Sequence, residues 1–352
     1  MTGYERIRNT LDRKPVDRPA CDMWATAEVV EKLMTHTGAA NELEMYDSLG
    51  IDKIIWVDAP YLDLPPKPEG IDRLNEWGVQ YREQKYNDGA YLETVLAPLA
   101  RMERTAEFEA FPWPDPARFD YTSLAAKVRA HQGRPMMLNF ISLFEVYTAM
   151  RSYETALMDL YVEKELAHTG LERICTIQLE YIQKSLAAAG DGIDIVYFSD
   201  DMGMQDRQLF GTEIWEEFIG PRAERIIDLV HREGKKLFYH TDGSAPEIVD
   251  RLMGMGIDIL NPIQHVCPGM ERERLKALYG DRVIFHGAVE NQNVLPFGTP
   301  ADVRKETETC LRTLGQGGGY ITASCHNLQP NTPVENILAM YDTVREVGNR
   351  YL

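Results

Sequence analysis

Residues 236–241, KLFYHT, form a short apolar run that indicates the fold. A helical segment with an apolar stripe precedes this run over 212–233, and another follows it over 244–255. Short apolar runs between helices are typical of strands that are buried on both faces of a parallel sheet. Residues 236–241 are therefore predicted to be one strand of an α/β domain.

Similar runs recur along the chain, always with helix-period segments between them. Together with the first run they are 20–24, 53–57, 135–140, 194–199, 236–241, 257–261, 283–287 and 320–323. Eight strand–helix units predict an α/β fold of the (β/α)₈ TIM barrel type, whose frame takes about 250 residues. A doubly wound sheet gives a similar alternation and is the alternative fold.

The chain has 352 residues, and the excess over the barrel frame lies mainly at 59–134. Within it, residues 76–84 and 91–97 flank Asn87-Asp88-Gly89, a sequence typical of hairpin turns. We therefore expect a small β-hairpin insertion near the rim of the barrel, within a single domain that covers 1–352.

Composition excludes several classes of partner. Lysine and arginine total 37 against 55 aspartates and glutamates, and the resulting net charge of −18 repels nucleic acid. No run approaches the ~18 apolar residues of a membrane helix, and residues 1–10 lack the apolar core of a secretion signal. The cysteines number five, without a C-x-x-C pair, so we expect free thiols and a cytoplasmic location.

Polar side chains follow most of the predicted strands, at the end of the barrel where chemistry takes place. They are Asp22, Asn139, Glu145, Asp200, Asp201, His240, Asp242, Asn261, Gln264, His286, Glu290, Gln292, Cys325, His326 and Asn327. We expect these loops to converge on one site. His286 is interpreted as structural, and one member of the Asp200-Asp201 pair is free for function if the other caps a helix.

Two short motifs have the side chains that bind zinc. His240-x-Asp242 follows the fifth run and Cys325-His326 follows the eighth. Catalytic zinc usually takes three protein ligands and keeps one position open, and the two motifs together supply such a set. The spacing alone is weak evidence, so a site without metal is the alternative at this point.

Several sequence blocks carry a resemblance to a known family. They are YERI at 4–7, PVDRP at 15–19, DDMGMQ at 200–205, HTDG at 240–243, GIDILNPIQ at 256–264, GGGY at 317–320, HNLQP at 326–330 and TPVENI at 332–337. With these blocks the chain resembles the uroporphyrinogen decarboxylase superfamily. More narrowly, it is similar to the corrinoid-dependent methyltransferases, which include methylcobalamin:coenzyme M methyltransferases and the methyltransferase I components of O-demethylases. The resemblance implies a (β/α)₈ barrel.

At two places the sequence differs from the family pattern, and these differences bear on the expected substrate and on the expected zinc ligands. Porphyrinogen decarboxylases carry an arginine-rich segment after the first strand, whereas residues 22–28 read DMWATAE. Without those arginines, a protein of charge −18 repels a substrate with many carboxylates. In the thiol methyltransferases of the family, His-x-Cys and a later cysteine bind zinc. Here the resemblance implies zinc at His240, Asp242 and His326, with Cys325 as the alternative to His326 if one residue is inserted.

The resemblance implies a methyltransferase that moves a methyl group between a small substrate and the cobalt of a corrinoid, methylcobalamin, on a partner carrier protein. A methoxyarene that undergoes O-demethylation is the expected substrate, although methylamines and methylthiols fit the same frame and either direction of transfer is open. Asp201 and Glu290 are the candidate catalytic acids. The candidate substrate-binding residues are Trp24, Asn139, Phe144, Tyr147, Asn261 and Gln292.

Two functions from other classes stay open. A lyase acting on a small carboxylated substrate would release carbon dioxide without a corrinoid. A non-catalytic binder would hold a corrinoid or tetrapyrrole in the barrel mouth without turnover. Relatives in the superfamily often dimerise, so a homodimer is also an expectation.

Overall fold

All eight predicted runs form strands of one parallel sheet in the computed structural model, which describes residues 1–86 and 89–352. The strands of the chain are β1 (Ala20–Cys21), β2 (Ile55–Val57), β3 (Arg73–Leu74), β4 (Gln80–Tyr86), β5 (Gly89–Leu96), β6 (Met136–Ile141), β7 (Ile195–Ser199), β8 (Lys236–His240), β9 (Ile259–Asn261), β10 (Ile284–Val289) and β11 (Tyr320–Ser324). The parallel sheet runs β1-β11-β10-β9-β8-β7-β6-β2. Once β3–β5 are set aside, neighbours in space are neighbours in the chain, except that the first strand, β1, pairs with the last, β11. A doubly wound sheet reverses its order at a switch point, and the order found here confirms the barrel.

The interior of the sheet has its own apolar core. It contains Ala20, Trp24, Ile54, Met137, Ile195, Tyr197, Phe238, Ile259, Ile284 and Ile321, together with Ile7 and Leu11 of the first helix. At the ends of the strand order, the Asp52 N–H donates to the Cys21 carbonyl at 3.0 Å and the Ile54 N–H donates to Asp22 Oδ1 at 3.0 Å. Hydrogen bonds of the backbone and of one carboxylate therefore link β1 to the segment that leads into β2.

Helices surround the sheet. They are α1 (Gly3–Leu11), α2 (Ala27–Thr37), α3 (Glu42–Leu49), α4 (Thr105–Ala110), α5 (Tyr121–Ala130), α6 (Phe144–Arg151), α7 (Tyr153–Val162), α8 (Lys164–Ala189), α9 (Thr212–Phe218), α10 (Gly220–Arg232), α11 (Pro246–Met255), α12 (Arg272–Tyr279), α13 (Val294–Phe297), α14 (Pro300–Cys310) and α15 (Val334–Val347). The segment 212–233 is two helices instead of one, because Pro221 at the start of α10 has no N–H to continue α9. Across the described residues, no helix combines the length and apolarity that a membrane crossing requires.

Strands β3, β4 and β5 form a separate antiparallel sheet inside the segment 59–134, as predicted for the insertion. Gln84 pairs with Tyr91 in the register of β4 and β5. The predicted turn residues Asn87 and Asp88 lie outside the described residues. The predicted small hairpin is therefore present within the insertion.

Candidate functional site

His240, Asp242 and His326 meet at the C-terminal end of the barrel. Their ligand atoms all lie within 4.8 Å of one another, although β8 and the loop after β11 are far apart in the chain. Asp242 Oδ2 lies 3.8 Å from His240 Nε2 and 3.6 Å from His326 Nε2. Two imidazoles and one carboxylate are a donor set that zinc accepts, with a fourth position left for substrate or water.

The adjacent residues Asp200 and Asp201 have different positions. Asp200 is fully buried, and its carboxylate accepts hydrogen bonds from the Ser142 hydroxyl and from the N–H groups of residues 143–145, where α6 begins. Asp201 is half-exposed, lies 3.7 Å from His240 Nε2 and accepts the Asp242 N–H at 2.8 Å. Asp200 therefore caps a helix, whereas Asp201 lies beside the candidate metal ligands.

Cys325 is buried beside this group, and its thiol is not one of the three converging ligands. Burial raises the pKa of the Cys325 thiol well above its usual value, and the negative charge of Asp242 adds to this effect. The geometry favours His326 over Cys325 as the third ligand.

A chain of buried polar groups fixes the orientation of His240. Asn261 Oδ1 lies 2.5 Å from His240 Nδ1, and Asn261 Nδ2 lies 2.8 Å from His286 Nδ1. His286 Nε2 lies 3.1 Å from Asp22 Oδ2. Because an amide oxygen only accepts, Nδ1 of His240 donates in this contact, and Nε2, which lies 3.7 Å from Asp201 and 3.8 Å from Asp242, is the nitrogen that could bind a metal ion. His286, which the sequence analysis interpreted as structural, is a link in this chain.

Asp22 anchors the far end of the chain with Lys53. Burial raises the pKa of Asp22, but the charge of Lys53, at 3.4 Å, and the hydrogen bond to His286 outweigh it, so the net pKa lies below its usual value. The same carboxylate accepts the Trp24 indole N–H at 3.0 Å. Asp22 is therefore a buried carboxylate, and it orients Trp24 and His286 together.

Two glycines bring the loops after β7 and β8 into direct contact. The Ser244 N–H donates to the Met204 carbonyl at 2.7 Å. A Cβ added to Gly203 would lie 2.5 Å from the Asp242 carbonyl oxygen, and one added to Gly243 would lie 2.5 Å from the Met204 carbonyl oxygen. Gly243 also has a φ of 79°, which favours glycine. The DDMGMQ and HTDG blocks therefore pack against each other and set the position of Asp242.

Glu145 is a functional candidate to which the sequence analysis gave no role. The Ser199 hydroxyl donates to Glu145 Oε1 at 2.6 Å, and Ser199 is the register partner of His240 on the neighbouring strand. Burial, and then the negative charges of Asp200 and Asp201, raise the pKa of Glu145 to about 7. A carboxyl group with such a pKa is available as a proton donor at neutral pH. The sequence signal was its place in the loop after a strand.

A cavity of ≈ 1110 Å³ occupies the barrel mouth in front of these groups. His240, His326, Asp201 and Glu145 line it on the polar side. Its aromatic walls are Trp24, Trp56 and Tyr197, with the two indole rings 5.3 Å apart. The predicted residues Trp24 and Asn139 are both part of the lining.

Phe144 and Tyr147 were predicted as aromatic walls, and the structure corrects this. Phe144 is 2% exposed and packs against Phe210 at 5.3 Å between ring centroids. Tyr147 is 0% exposed and donates its hydroxyl to Asp159 at 2.6 Å. The two residues are three positions apart on α6 and share its inner face, so both belong to the protein core.

The remaining predicted residues have other positions. The Glu290 carboxylate accepts the N–H groups of Gln292, Asn293 and Val294, and it caps the start of α13. Gln292 itself is exposed. Asn261 is fully buried, and its amide is used by two histidines, which makes it an orienting residue beneath the cavity.

Comparisons with known proteins agree with this architecture. A family profile described as "Uroporphyrinogen decarboxylase (URO-D)" matches residues 88–347. Over its full length the fold resembles a methyltransferase from Methanosarcina mazei, with a TM-score of 0.69, 18% sequence identity and coverage of 98% of this chain and 99% of that one.

Curated relatives match more remotely in sequence. The uroporphyrinogen decarboxylase of Coxiella burnetii is 24% identical over 200 residues, which are 55% of this chain and 51% of that protein. The uroporphyrinogen decarboxylase of Alkalilimnicola ehrlichii is 24% identical over 268 residues, which are 70% of this chain and 67% of that protein. The chain thus spans about half the length of the first of these relatives. Since the profile covers most of the barrel and includes β6–β11 with their polar loops, the chain belongs to the uroporphyrinogen decarboxylase family.

Proposed function

We propose that this protein is a corrinoid-dependent methyltransferase that takes the methyl group from a methoxyarene. The observation that carries the proposal is the group of His240, Asp242 and His326 at the edge of a cavity with aromatic walls. The full-length likeness of the fold to a protein described as a methyltransferase from Methanosarcina mazei supports it.

The donor set fits zinc and differs in charge from a site rich in thiolates. Held by His240, Asp242 and His326, zinc would supply a Lewis acid that polarises an ether oxygen. Imidazole and carboxylate donate less electron density than thiolate does, so this set favours an electrophilic ion. Asn261 holds His240 in the tautomer that such binding requires.

A corrinoid on a partner carrier protein would supply cobalt(I), whose electron pair forms the new bond to the methyl carbon. The methyl–oxygen bond breaks, the oxygen keeps the bonding pair, and it takes up one proton to leave as a phenol. Stabilising this departing oxygen is the difficult part of the reaction. The proposal therefore needs a proton donor close to the ether oxygen.

Glu145 is the residue of this chain that meets the requirement for a proton donor. It lines the cavity, accepts the Ser199 hydroxyl and has a pKa raised to about 7 by burial and neighbouring carboxylates. Asp201, beside His240, is half-exposed and is the second acidic candidate. Trp24, Trp56 and Tyr197 form apolar walls that exclude water from the departing oxygen.

The proposal is tested with purified zinc-loaded protein, a corrinoid carrier protein reduced to cobalt(I), and 2-methoxyphenol. Methyl transfer is followed by the absorbance of methylcobalamin and by release of catechol, and we expect both in equal amounts. The panel includes methylamine and methanethiol as other methyl donors. The proposal would be contradicted if none of these donors yields methylcobalamin.

A decarboxylase is the second candidate, because the curated relatives are uroporphyrinogen decarboxylases. Among the described residues that line the barrel mouth there is no arginine, and the Lys53 ammonium is used by Asp22. Few cations are thus present for a substrate with many carboxylates. Release of carbon dioxide from uroporphyrinogen without any corrinoid would favour this candidate over the methyltransferase.

A further inference from the structure

We propose that a second cavity, roofed by the hairpin sheet, binds the aromatic ring of the methyl donor. This side cavity has a volume of ≈ 590 Å³ and lies between β3–β5 and the barrel. The inference rests on the proposed function, since it assigns the place of the methoxyarene. Ligand cavities in proteins commonly measure about 300–1,000 Å³, so the side cavity is of a size for a small molecule.

Aromatic side chains form the walls of the side cavity. Trp77 comes from the turn between β3 and β4, and Tyr81 comes from β4. Tyr61 and Phe119 come from connecting loops, and Tyr181 comes from α8. The Phe119 ring lies 4.9 Å from the Tyr61 ring and 4.7 Å from the Tyr181 ring, measured between centroids. A ligand ring that packs against such walls in an edge-to-face or tilted arrangement gains about 0.5–1.5 kcal/mol for each ring pair. The walls therefore select a planar aromatic ligand.

Asn139 and Glu145 line both cavities and mark the place where they meet. A ring seated under the hairpin would present its methoxy group at Glu145, next to Ser199 and the candidate metal ligand His240. The barrel mouth, with ≈ 1110 Å³, would then stay free for the much larger corrinoid. Two substrates of different size thus reach one reacting centre from two sides.

Most of the charge in the side cavity is paired or neutralised. Its charged residues are Arg73, Asp58, Glu76 and Glu145. Asp58 is paired with Lys127 at 2.7 Å, and burial raises the pKa of Glu76, which favours its neutral form. One exposed arginine remains in a chain of net charge −18. Apart from Arg73 the lining is thus mostly uncharged, and we assign the cavity to a methoxyarene, with uncharged 2-methoxyphenol as its probe.

The test measures binding of 2-methoxyphenol to the zinc-loaded protein by calorimetry, with no corrinoid present. Ala149 lies one helical turn after Glu145 on α6 and lines only the side cavity, so Ala149→Phe fills that space. We expect this variant to weaken binding at least tenfold while zinc content stays unchanged. Tyr61→Leu, which opens the wall instead, is expected to weaken binding as well. Ala126→Phe, on the exposed side of α5, is the matched control and should bind like the unchanged protein.

The outcomes separate this inference from the proposed function. Absence of binding to the unchanged protein, or unchanged affinity in both Ala149→Phe and Tyr61→Leu, overturns the side cavity as the ring site. If 2-methoxyphenol is demethylated but both variants bind it as the unchanged protein does, the methyltransferase proposal is supported and the side cavity is rejected as the ring site. Loss of binding in the variants, with no methyl transfer by the unchanged protein, supports the site and contradicts the methyltransferase.

Discussion

Replacing Asn261 with leucine is expected to weaken zinc binding by about 10–100-fold, the usual effect of losing a partner that orients a metal ligand. The asparagine is fully buried, and its amide contacts His240 Nδ1 at 2.5 Å and His286 Nδ1 at 2.8 Å. Leucine has nearly the same size but offers neither hydrogen bond. The His240 ring then loses the acceptor that keeps its proton on Nδ1.

The expected loss of stability follows from the same two contacts. Each buried histidine nitrogen left without a partner costs about 1–3 kcal/mol, so the substitution should lower the free energy of unfolding by about 2–6 kcal/mol. Asn336 provides a matched control, because it is also buried and donates to the carbonyls of Leu295 at 2.9 Å and Gly298 at 2.8 Å, outside the site. Asn336→Leu should lose comparable stability and keep its zinc affinity.

The assay is competition for zinc with a chromogenic chelator, run beside urea unfolding on both variants. Asn261→Asp is a third variant, because a carboxylate still accepts the His240 Nδ1 proton, and it should bind zinc more tightly than Asn261→Leu does. The reasoning is refuted if Asn261→Leu binds zinc as the unchanged protein does, or if Asn336→Leu loses affinity to the same degree.

Three further perturbations test other parts of the site. Glu145 has a pKa raised to about 7, so its proton is present below that pH and is lost above it. The rate of demethylation should therefore fall as the pH rises through about 7. In a pH–rate profile, Glu145→Gln should remove this dependence. Lys53→Met leaves the Asp22 carboxylate buried without its cation and should cost about 3–5 kcal/mol in urea unfolding. Gly203→Ala places a Cβ 2.5 Å from the Asp242 carbonyl oxygen and should lower zinc affinity in the chelator assay, since the loop must move.

Lys53→Met and Gly203→Ala each have a matched control in the same chain. Lys164 is exposed and pairs with Glu217 at 2.7 Å, so Lys164→Met should change stability by less than about 1 kcal/mol. Gly254 has no atoms within 4 Å of an added Cβ, so Gly254→Ala should keep full zinc affinity. Equal effects in a variant and its control would contradict the reason given for that variant. For Glu145→Gln, a surviving loss of rate above pH 7 would point to another titrating group.

The curated relatives are decarboxylases, whereas the composition of the site does not favour a substrate with many carboxylates. The family is shared, but the segment 22–28 after β1, which reaches the first turn of α2, has Asp22, Trp24 and Glu28 and no arginine. Asp22 takes part in the chain that reaches His240, so in this protein the loop serves the metal-ligand side of the pocket. A change of substrate within one barrel is expected when the strand ends vary and the frame does not.

Local sequence was sufficient for the frame of the barrel. The short apolar runs gave all eight strands and the hairpin, because strand periodicity and turn chemistry are encoded over a few residues. The same reasoning placed His240, Asp242 and His326 at strand ends that must meet, because the closed parallel sheet brings all its C-terminal ends to one side.

Helix orientation and burial were decided only by the tertiary structure. Phe144, Glu145 and Tyr147 are close in sequence, but successive residues of a helix point about 100° apart, and the capping of α6 by Asp200 sets which of them faces the cavity. That contact joins residues 55 or more positions apart, so no local pattern contains it. In the same way, Cys325 and His326 are adjacent and both able to bind metal, and the packing of the loop after β11 buries the thiol while it turns the imidazole towards Asp242. The sequence by itself determined which segments end at the barrel mouth, and long-range packing determined which of their side chains face it.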